Sequence, residues 1–402
     1  MRILLVHQNF PGQFRDLAPA LLDRGHELKA IACNQRPTDP RIDVLHYSHD
    51  KPERSGIHTL TGEVDDWLRR GTAAAEQAQA LKQRGWAPDV MLAHPGWGEA
   101  LFLKQVFDAT PLVVWPELWL RDEHLLDPPQ RSLELGQRCY LRSKNWLVEA
   151  ALSDCELAVL PTQYQADCFP LRWQHKIRVL HEGVQDQLQQ GRLQQLSLGE
   201  ELTLSPEVPV LSFASRNLEP LRGFDRFLAG VAWLQPRMPA LQTLVVGAWG
   251  SSYSGDPQAG CTWKDLALQR LEGQLDLSRI HFIGHLPHSE LIKVFRRSDL
   301  HTYLSRSFVL SWSLLEAIAC GTPVLADTNP MLLELKRYGG EVHFADSHLA
   351  ERLGAAMEAG LQRGQKHRME GQAAAPLNPA LRLSTTAQQL EQQLLDLQQG
   401  RF

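Results

Sequence analysis

Short apolar runs, each ended by a polar turn and followed by a helical period, recur along this 402-residue chain. A parallel sheet covered by helices accommodates that alternation, because parallel neighbours need crossover connections and right-handed βαβ units supply them. Residues 300–327, LHTYLSRSFVLSWSLLEAIACGTPVLAD, carry the pattern most clearly. They predict a strand over 300–304, a polar turn, a helix opening near Ser311 and a second strand over 323–326. Leu314, Leu315, Ile318 and Ala319 share an apolar helix face, and Gly321 supplies a stop that needs positive φ. Glu316 interrupts that face. A carboxylate in the middle of an apolar helix must either reach the crevice at the strand ends or have a buried partner.

The same logic orders the rest of the chain. Residues 2–6 (RILLV) read as a strand, HQNFPGQF as a loop, and Phe14, Leu17, Ala18, Leu21 and Leu22 as one helix face. This turn places Gly12 and the helix-start amides at the carboxyl edge of a parallel sheet, where ligands bind. A strand in HELKAIACN, a Pro- and charge-rich loop region over 36–56 and an Ala/Gln-rich helix over about 72–84 come next. DVMLAHPGWG, PLVVWPELWL, a polar loop to Gln130, a long helix with Leu133, Leu141 and Trp146, ELAVLPT and HKIRVLHEGV continue the alternation. The sequence then turns polar and Gln-rich before PVLSFA restarts it. The expected division is an N-terminal Rossmann-like domain over 1–184, a linker over 185–208 and a second Rossmann-like domain over 209–362. Residues 363–402 read as a basic linker and a terminal helix whose Leu390, Leu394 and Leu397 either pack back on a domain or fray. The fold class is thus α/β, two doubly wound domains facing across a crevice that suits an extended, phosphate-bearing ligand.

Composition narrows the function. A net charge of −5 gives no electrostatic case for nucleic acid. Six scattered cysteines without C-x-x-C spacing point to a reducing, cytoplasmic setting, and no metal cluster is visible. The chain starts on a strand without a leader, and no apolar run approaches the roughly 18 residues of a membrane span, which leaves peripheral membrane contact open. Eleven tryptophans supply either walls for rings and sugars or a large core.

Arg216 and Arg222 flank the loop in FASRNLEPLRGF, just before a helix start at Gly223. Two guanidinium groups beside a helix N-terminus make a diphosphate site, the plainer alternative being two solvated arginines. His94 ends an apolar strand and is either a crevice ligand or a satisfied core histidine. Glu117 in WPELW and Glu99 in GWGE are crevice-edge carboxylates that either orient an acceptor, act as base, or are simply hydrogen-bonded. Trp97, Trp115 and Trp119 either stack on sugar faces or pack apolar surface. His181 with Glu182 reads as hinge structure.

SRNLEPLRGFDRFL, VVGAWG, RIHFIGHLPHSELIKVFRRSDLHTYLS and SLLEAIACGTPVLAD, in this order, resemble the C-terminal half of family 4 retaining glycosyltransferases of the GT-B fold. HQNFPGQFRDLAPALLDRGHEL, DVMLAHPGWG and HEGV resemble that family's N-terminal half. The resemblance implies a nucleotide-diphosphate sugar donor, UDP- or GDP-linked, an unidentified acceptor and no cofactor or metal. It places Arg216 and Arg222 on the diphosphate, with Arg222 where a lysine is usual, and Glu316 on the ribose hydroxyls. Val309, Leu310 and Ser311 would present helix-start amides to the diphosphate or sugar, Gly247 of VVGAWG would lie at the same site, and Gly12 would let the first loop approach the phosphates. It also favours the ligand role for His94, against the donor sugar, and implies domain closure about the linker.

One departure stands out. The family pattern has two glutamates eight positions apart, and Phe308 occupies the first, which meets the donor sugar. That substitution implies either changed donor specificity or weakened catalysis. The competing readings are a sugar-nucleotide epimerase, for which catalytic carboxylates cannot be assigned, and a degenerate GT-B module that binds a sugar nucleotide or a partner without turnover.

Overall fold

The computed structural model describes residues 1–401 apart from 51–54, 57, 127–131, 201, 258–259 and 373–374. The expected loop end at Gln130 lies outside the described residues. Two compact units result: unit 1, Met1–Gly183 with Ala380–Phe402, and unit 2, Val184–Pro379.

Among the described residues, unit 1 holds the strands β1 (Arg2–Val6), β2 (Glu27–Ala32), β3 (Asp43–His46), β4 (Val90–Ala93), β5 (Leu112–Val114), β6 (Leu157–Leu160) and β7 (Ile177–Val179). They form one parallel sheet in the order β3-β2-β1-β4-β5-β6-β7. The order reverses between β1 and β4, so the carboxyl ends of these two strands are the switch point where doubly wound sheets bind ligands. The terminal helix Leu383–Gln398 does not fray. It packs on the helix Leu17–Asp23, and Leu390, Leu394 and Leu397 join Leu5, Phe14 and Leu21 in the core.

Unit 2 opens on an antiparallel hairpin, β8 (Leu196–Leu198) with β9 (Leu202–Leu204). Its sheet comprises β10 (Val210–Asn217), β11 (Gln242–Ala248), β12 (Ile280–Gly284), β13 (Leu300–Tyr303), β14 (Val324–Asp327) and β15 (Val342–Ala345). The order is β12-β11-β10-β13-β14-β15, all parallel, with its switch point between β10 and β13. At the opposite edge of that pair, fully buried Asp299 accepts from Val210 N at 2.9 Å, Arg368 Nε at 2.8 Å and Arg297 Nη1 at 3.2 Å.

Four expectations need correction. The loop region over 36–56 contains β3, a four-residue edge strand too short to register against its polar flanks. The helix expected over about 72–84 runs over Thr59–Gln83, with Gly62 and Gly71 buried within it. A Cβ on Gly71 would stand 2.8 Å from the Gly98 carbonyl oxygen, so close packing selects glycine there despite its helical cost. The linker expected over 185–208 contains the hairpin, whose LSL and LTL alternation is submerged in glutamines. The basic linker expected from 363 is helical to Met369: Ala350–Met369 continues because Gly364 meets the Asp299 carbonyl and Arg368 its carboxylate.

Candidate functional site

The carboxyl edge of unit 2 gathers residues from four strand ends. Arg216 is exposed near the end of β10, and half-buried Arg222 closes the 3-10 turn Pro220–Arg222 that follows. Arg222 Nη1 donates to Ser305 Oγ at 3.0 Å, in the loop after β13, and its guanidinium carbon lies 5.3 Å from the centre of the Tyr253 ring. Tyr253 in turn meets Phe308, ring centres 4.9 Å apart at 54°. Arg222, Tyr253 and Phe308 therefore make one continuous wall. Glu219 fixes its middle member. Fully buried, it accepts the backbone N–H groups of Ser252, Tyr253 and Ser254 on Oε2 at 3.1, 2.9 and 2.9 Å.

Glycines let these loops close on one another. At Gly223, φ is +78°, and a Cβ would lie 2.5 Å from Leu304 Cβ. Gly247 has φ +154° and would bring a Cβ within 2.6 Å of the Ser215 carbonyl oxygen, so it joins the ends of β10 and β11. Arg226, from the helix Phe224–Leu234, donates to Leu304 O and to Asp327 Oδ2, each at 2.6 Å, tying the ends of β13 and β14 together.

Val309, Leu310 and Ser311 are half-buried and lead into the helix Trp312–Ala319, whose positive dipole end opens at this edge. Ser311 is the N-cap, yet its hydroxyl pairs with Ser313 Oγ at 2.7 Å instead of capping the helix backbone. The Phe308 amide donates to Met331 Sδ at 3.4 Å. Glu316 is 6% exposed, and its Oε1 lies 2.9 Å from His288 Nε2. His288 begins the helix His288–Arg297, just past the carboxyl end of β12. Glu316 is thus a nearly buried carboxylate whose partner, His288, is partly exposed at the start of the helix after β12.

In unit 1 the switch point is lined with histidines. His7 follows β1 and His94 follows β4; their rings lie 5.1 Å apart, and Trp97 stacks on His94 at 4.4 Å and 27°. Each histidine accepts, on Nδ1, the backbone N–H two residues on: Asn9 to His7 at 2.9 Å, Gly96 to His94 at 3.0 Å. A neutral ring held this way carries its proton on Nε2. Burial, with His94 and Arg36 nearby, lowers the His7 pKa to about 2, so His7 is neutral. His94 Nε2 is buried without a hydrogen-bond partner and faces Glu117 Oε1 at 3.7 Å, beyond bonding range. Gly12 has φ +47°, and a Cβ there would strike the His7 ring at 2.3 Å, so this glycine is required by the histidine beneath it.

The acceptor candidates separate. Glu117 is the one non-glycine residue with positive φ among the described residues, at +24°, with its side chain about half exposed. Glu99 is not at the edge: it is fully buried, takes the Tyr47 hydroxyl at 2.5 Å, and burial raises its pKa. Trp115 and Trp119 are buried packing residues, which leaves Trp97. His181 repeats the strand-end arrangement, accepting from Gly183 N at 3.0 Å after β7. The sequence signal missed was this offset: HQN, HPG and HEG place a histidine one or two residues after a strand, each followed by Asn or Gly two positions later. Glu219, Tyr253 and His288 were also missed.

One group of possible metal ligands occurs among the described residues: Glu123, His124 and Cys168, with ligand atoms within 4.8 Å of one another. It does not fit an ion. Arg121 N and Tyr164 Oη occupy both His124 nitrogens, and burial pushes the Cys168 thiol up to about 11.

Comparison with known proteins agrees with this architecture. The Glycosyl transferase family 4 group matches residues 24–188, and Glycosyl transferases group 1 matches residues 202–375. The D-inositol 3-phosphate glycosyltransferase of Nocardia farcinica is 36% identical over 129 residues, 31% of this chain and 27% of that protein. Its counterpart in Rhodococcus jostii is 28% identical over 280 residues, 69% of this chain and 56% of that protein. The matches thus span less than two thirds of these relatives. Among solved structures, sucrose-phosphate synthase from Thermosynechococcus elongatus aligns over all of both chains with a TM-score of 0.68 at 14% identity. Anabaena HepE, in complex with UDP and glucose, aligns over 98% of this chain and all of that one with a TM-score of 0.62 at 16% identity. With one glycosyltransferase family matching each half and the GT-B architecture along the whole length, this chain belongs to the family 4 type of GT-B glycosyltransferases.

Proposed function

We propose that the chain moves a sugar from a nucleotide-diphosphate sugar to an acceptor, with retention of anomeric configuration and without a metal ion. The observation that carries this reading is the placement of Arg216 and Arg222 at the switch point of unit 2, on the same edge as the opening of the helix Trp312–Ala319. Breaking a sugar–phosphate bond puts negative charge on the departing diphosphate. Two permanent guanidinium charges and a helix N-terminus stabilise that charge more in the transition state than in the ground state. Arg222 is preorganised for this task by Ser305 and Tyr253. Glu316 accepts the ribose hydroxyls, and the departing phosphate helps to deprotonate the acceptor on the face it leaves. A nucleotide-sugar donor is further supported by HepE, which was solved with UDP and glucose. At the switch point of unit 1, His94 presents its Nε2 donor to the sugar and Glu117 is the carboxylate that meets an acceptor.

Phe308, in the place of the family's first glutamate, favours a second reading: a module that binds a sugar nucleotide without turnover. A donor panel separates the two. Purified protein is incubated with UDP- and GDP-linked sugars, with and without candidate sugar, polyol and lipid-linked acceptors, and nucleotide release is followed. Release that requires an acceptor, with the anomeric configuration unchanged by NMR, supports transfer; donor binding with no release under any acceptor supports the second reading.

A further inference from the structure

The ribose reading of Glu316 leaves a physical gap. A carboxylate that accepts from both hydroxyls of a vicinal diol must hold its plane at one angle, whereas the terminal torsion of a glutamate is broad and roughly two-fold. Its helix neighbours Leu314, Leu315, Ala317 and Ile318 face the core. A restraint comes from a neighbouring helix. Oε1 of Glu316 is 2.9 Å from Nε2 of His288, 28 residues earlier in the chain and on the other side of β13 in sequence.

We propose that His288 is a positioning residue for nucleotide recognition: by holding Glu316 Oε1 it sets the orientation in which the carboxylate meets the cis-diol of a ribonucleoside diphosphate. The proposal rests on the ribose role of Glu316. Three features support it. Glu316 is nearly buried while the His288 side chain is 39% exposed, so the pair bridges from the interior to the face a nucleotide approaches. His288 belongs to the first turn of its helix, where the backbone is fixed by the packing of Val294 and Phe295 further along, so its ring swings from a rigid base. Finally, a histidine Nε2 that donates to a carboxylate oxygen is directional, unlike a lysine ammonium, and selects one plane of the acceptor.

The consequence is selective. Loss of His288 weakens only that part of the binding that depends on the ribose hydroxyls, leaving the contacts to base and diphosphate in place. A residue that merely supported the fold would weaken every nucleotide alike. The test is calorimetric and uses the full chain. UDP, GDP and ADP are titrated first, and the tightest is compared with its 2′,3′-dideoxy counterpart on wild type, Glu316→Gln, His288→Ala and His288→Gln, with melting temperature as the check on folding. Wild type is expected to prefer the ribonucleotide by about tenfold or more, the scale of one or two hydrogen bonds to a charged acceptor. His288→Ala should bring that preference close to one without changing dideoxynucleotide affinity, and His288→Gln, which keeps a donor, should restore most of it. If wild type and Glu316→Gln differ in preference but His288→Ala behaves as wild type, the positioning role is overturned and the ribose role stands. If wild type itself shows no preference, the ribose role falls and the inference with it. Equal weakening of both nucleotides in His288→Ala also overturns the proposal.

Discussion

Arg216 ends a run in which Val210, Leu211, Ser212, Phe213 and Ala214 are all buried, and it is the first exposed side chain of β10. An exposed arginine carries little of the fold, since surface charges contribute about 0–1 kcal/mol. Arg216→Ala should therefore leave the melting temperature unchanged while lowering acceptor-dependent nucleotide release by about a hundredfold or more, the effect of losing a group aimed at transition-state charge. A folded variant that retains turnover would remove Arg216 from the diphosphate. Phe308 poses the opposite question. Phe308→Glu, assayed on the same donor panel, is expected to lose activity on the native donor, because the ring packed on Tyr253 is replaced by a charge; a gain on common hexose donors would instead mark the natural site as catalytically weakened. The arginines were legible because a strand, a loop and a helix start locate a switch-point residue from local sequence alone. His288 was not, since its proximity to Glu316 is a product of helix packing between segments that no local pattern connects.

Among elements, the loop after β11 depends on a carboxylate from outside itself. Glu219 takes three consecutive backbone N–H groups from 252–254, and Leu221 N donates back to Ser254 Oγ at 2.9 Å. Removing the acceptor strips three backbone N–H groups of their shared partner, at about 1–3 kcal/mol for each group that water does not reach. Glu219→Ala should lower unfolding free energy by about 2–4 kcal/mol in urea titration and open 252–254 to protease ahead of global unfolding. An unchanged urea midpoint would show that the loop holds without it. The elements the sequence misplaced share a cause with this loop. Gly71 and Gly364 sit in helices because of what they touch, Gly98 O and Asp299 O, and helix propensity alone has no access to such contacts. Periodic segments with dense leucine, such as 314–318 and 390–397, were legible because burial and period coincide there.

For the molecule as a whole, buried histidines set a limit on acid tolerance. Burial lowers His7 to about 2, His301 to about 3 and His181 to about 4, against an ordinary value of 6.5. The unfolded chain then binds more protons than the folded one below pH 6.5. Stability is complete above that value and is lost as pH falls toward the folded values, by about 1 kcal/mol per histidine one pH unit below 6.5. Melting temperature should decline steadily from pH 7 to pH 5, and a flat profile would contradict burial of the neutral rings. A different consequence follows from the helix Leu383–Gln398, which completes the core of unit 1 although all of unit 2 separates it from the strands it covers. A ribosome delivers Val184–Pro379 intact before that last leucine face emerges. The half that is begun first is therefore finished last: its sheet waits through the synthesis of its neighbour with Leu5, Phe14 and Leu21 still lacking their final cover.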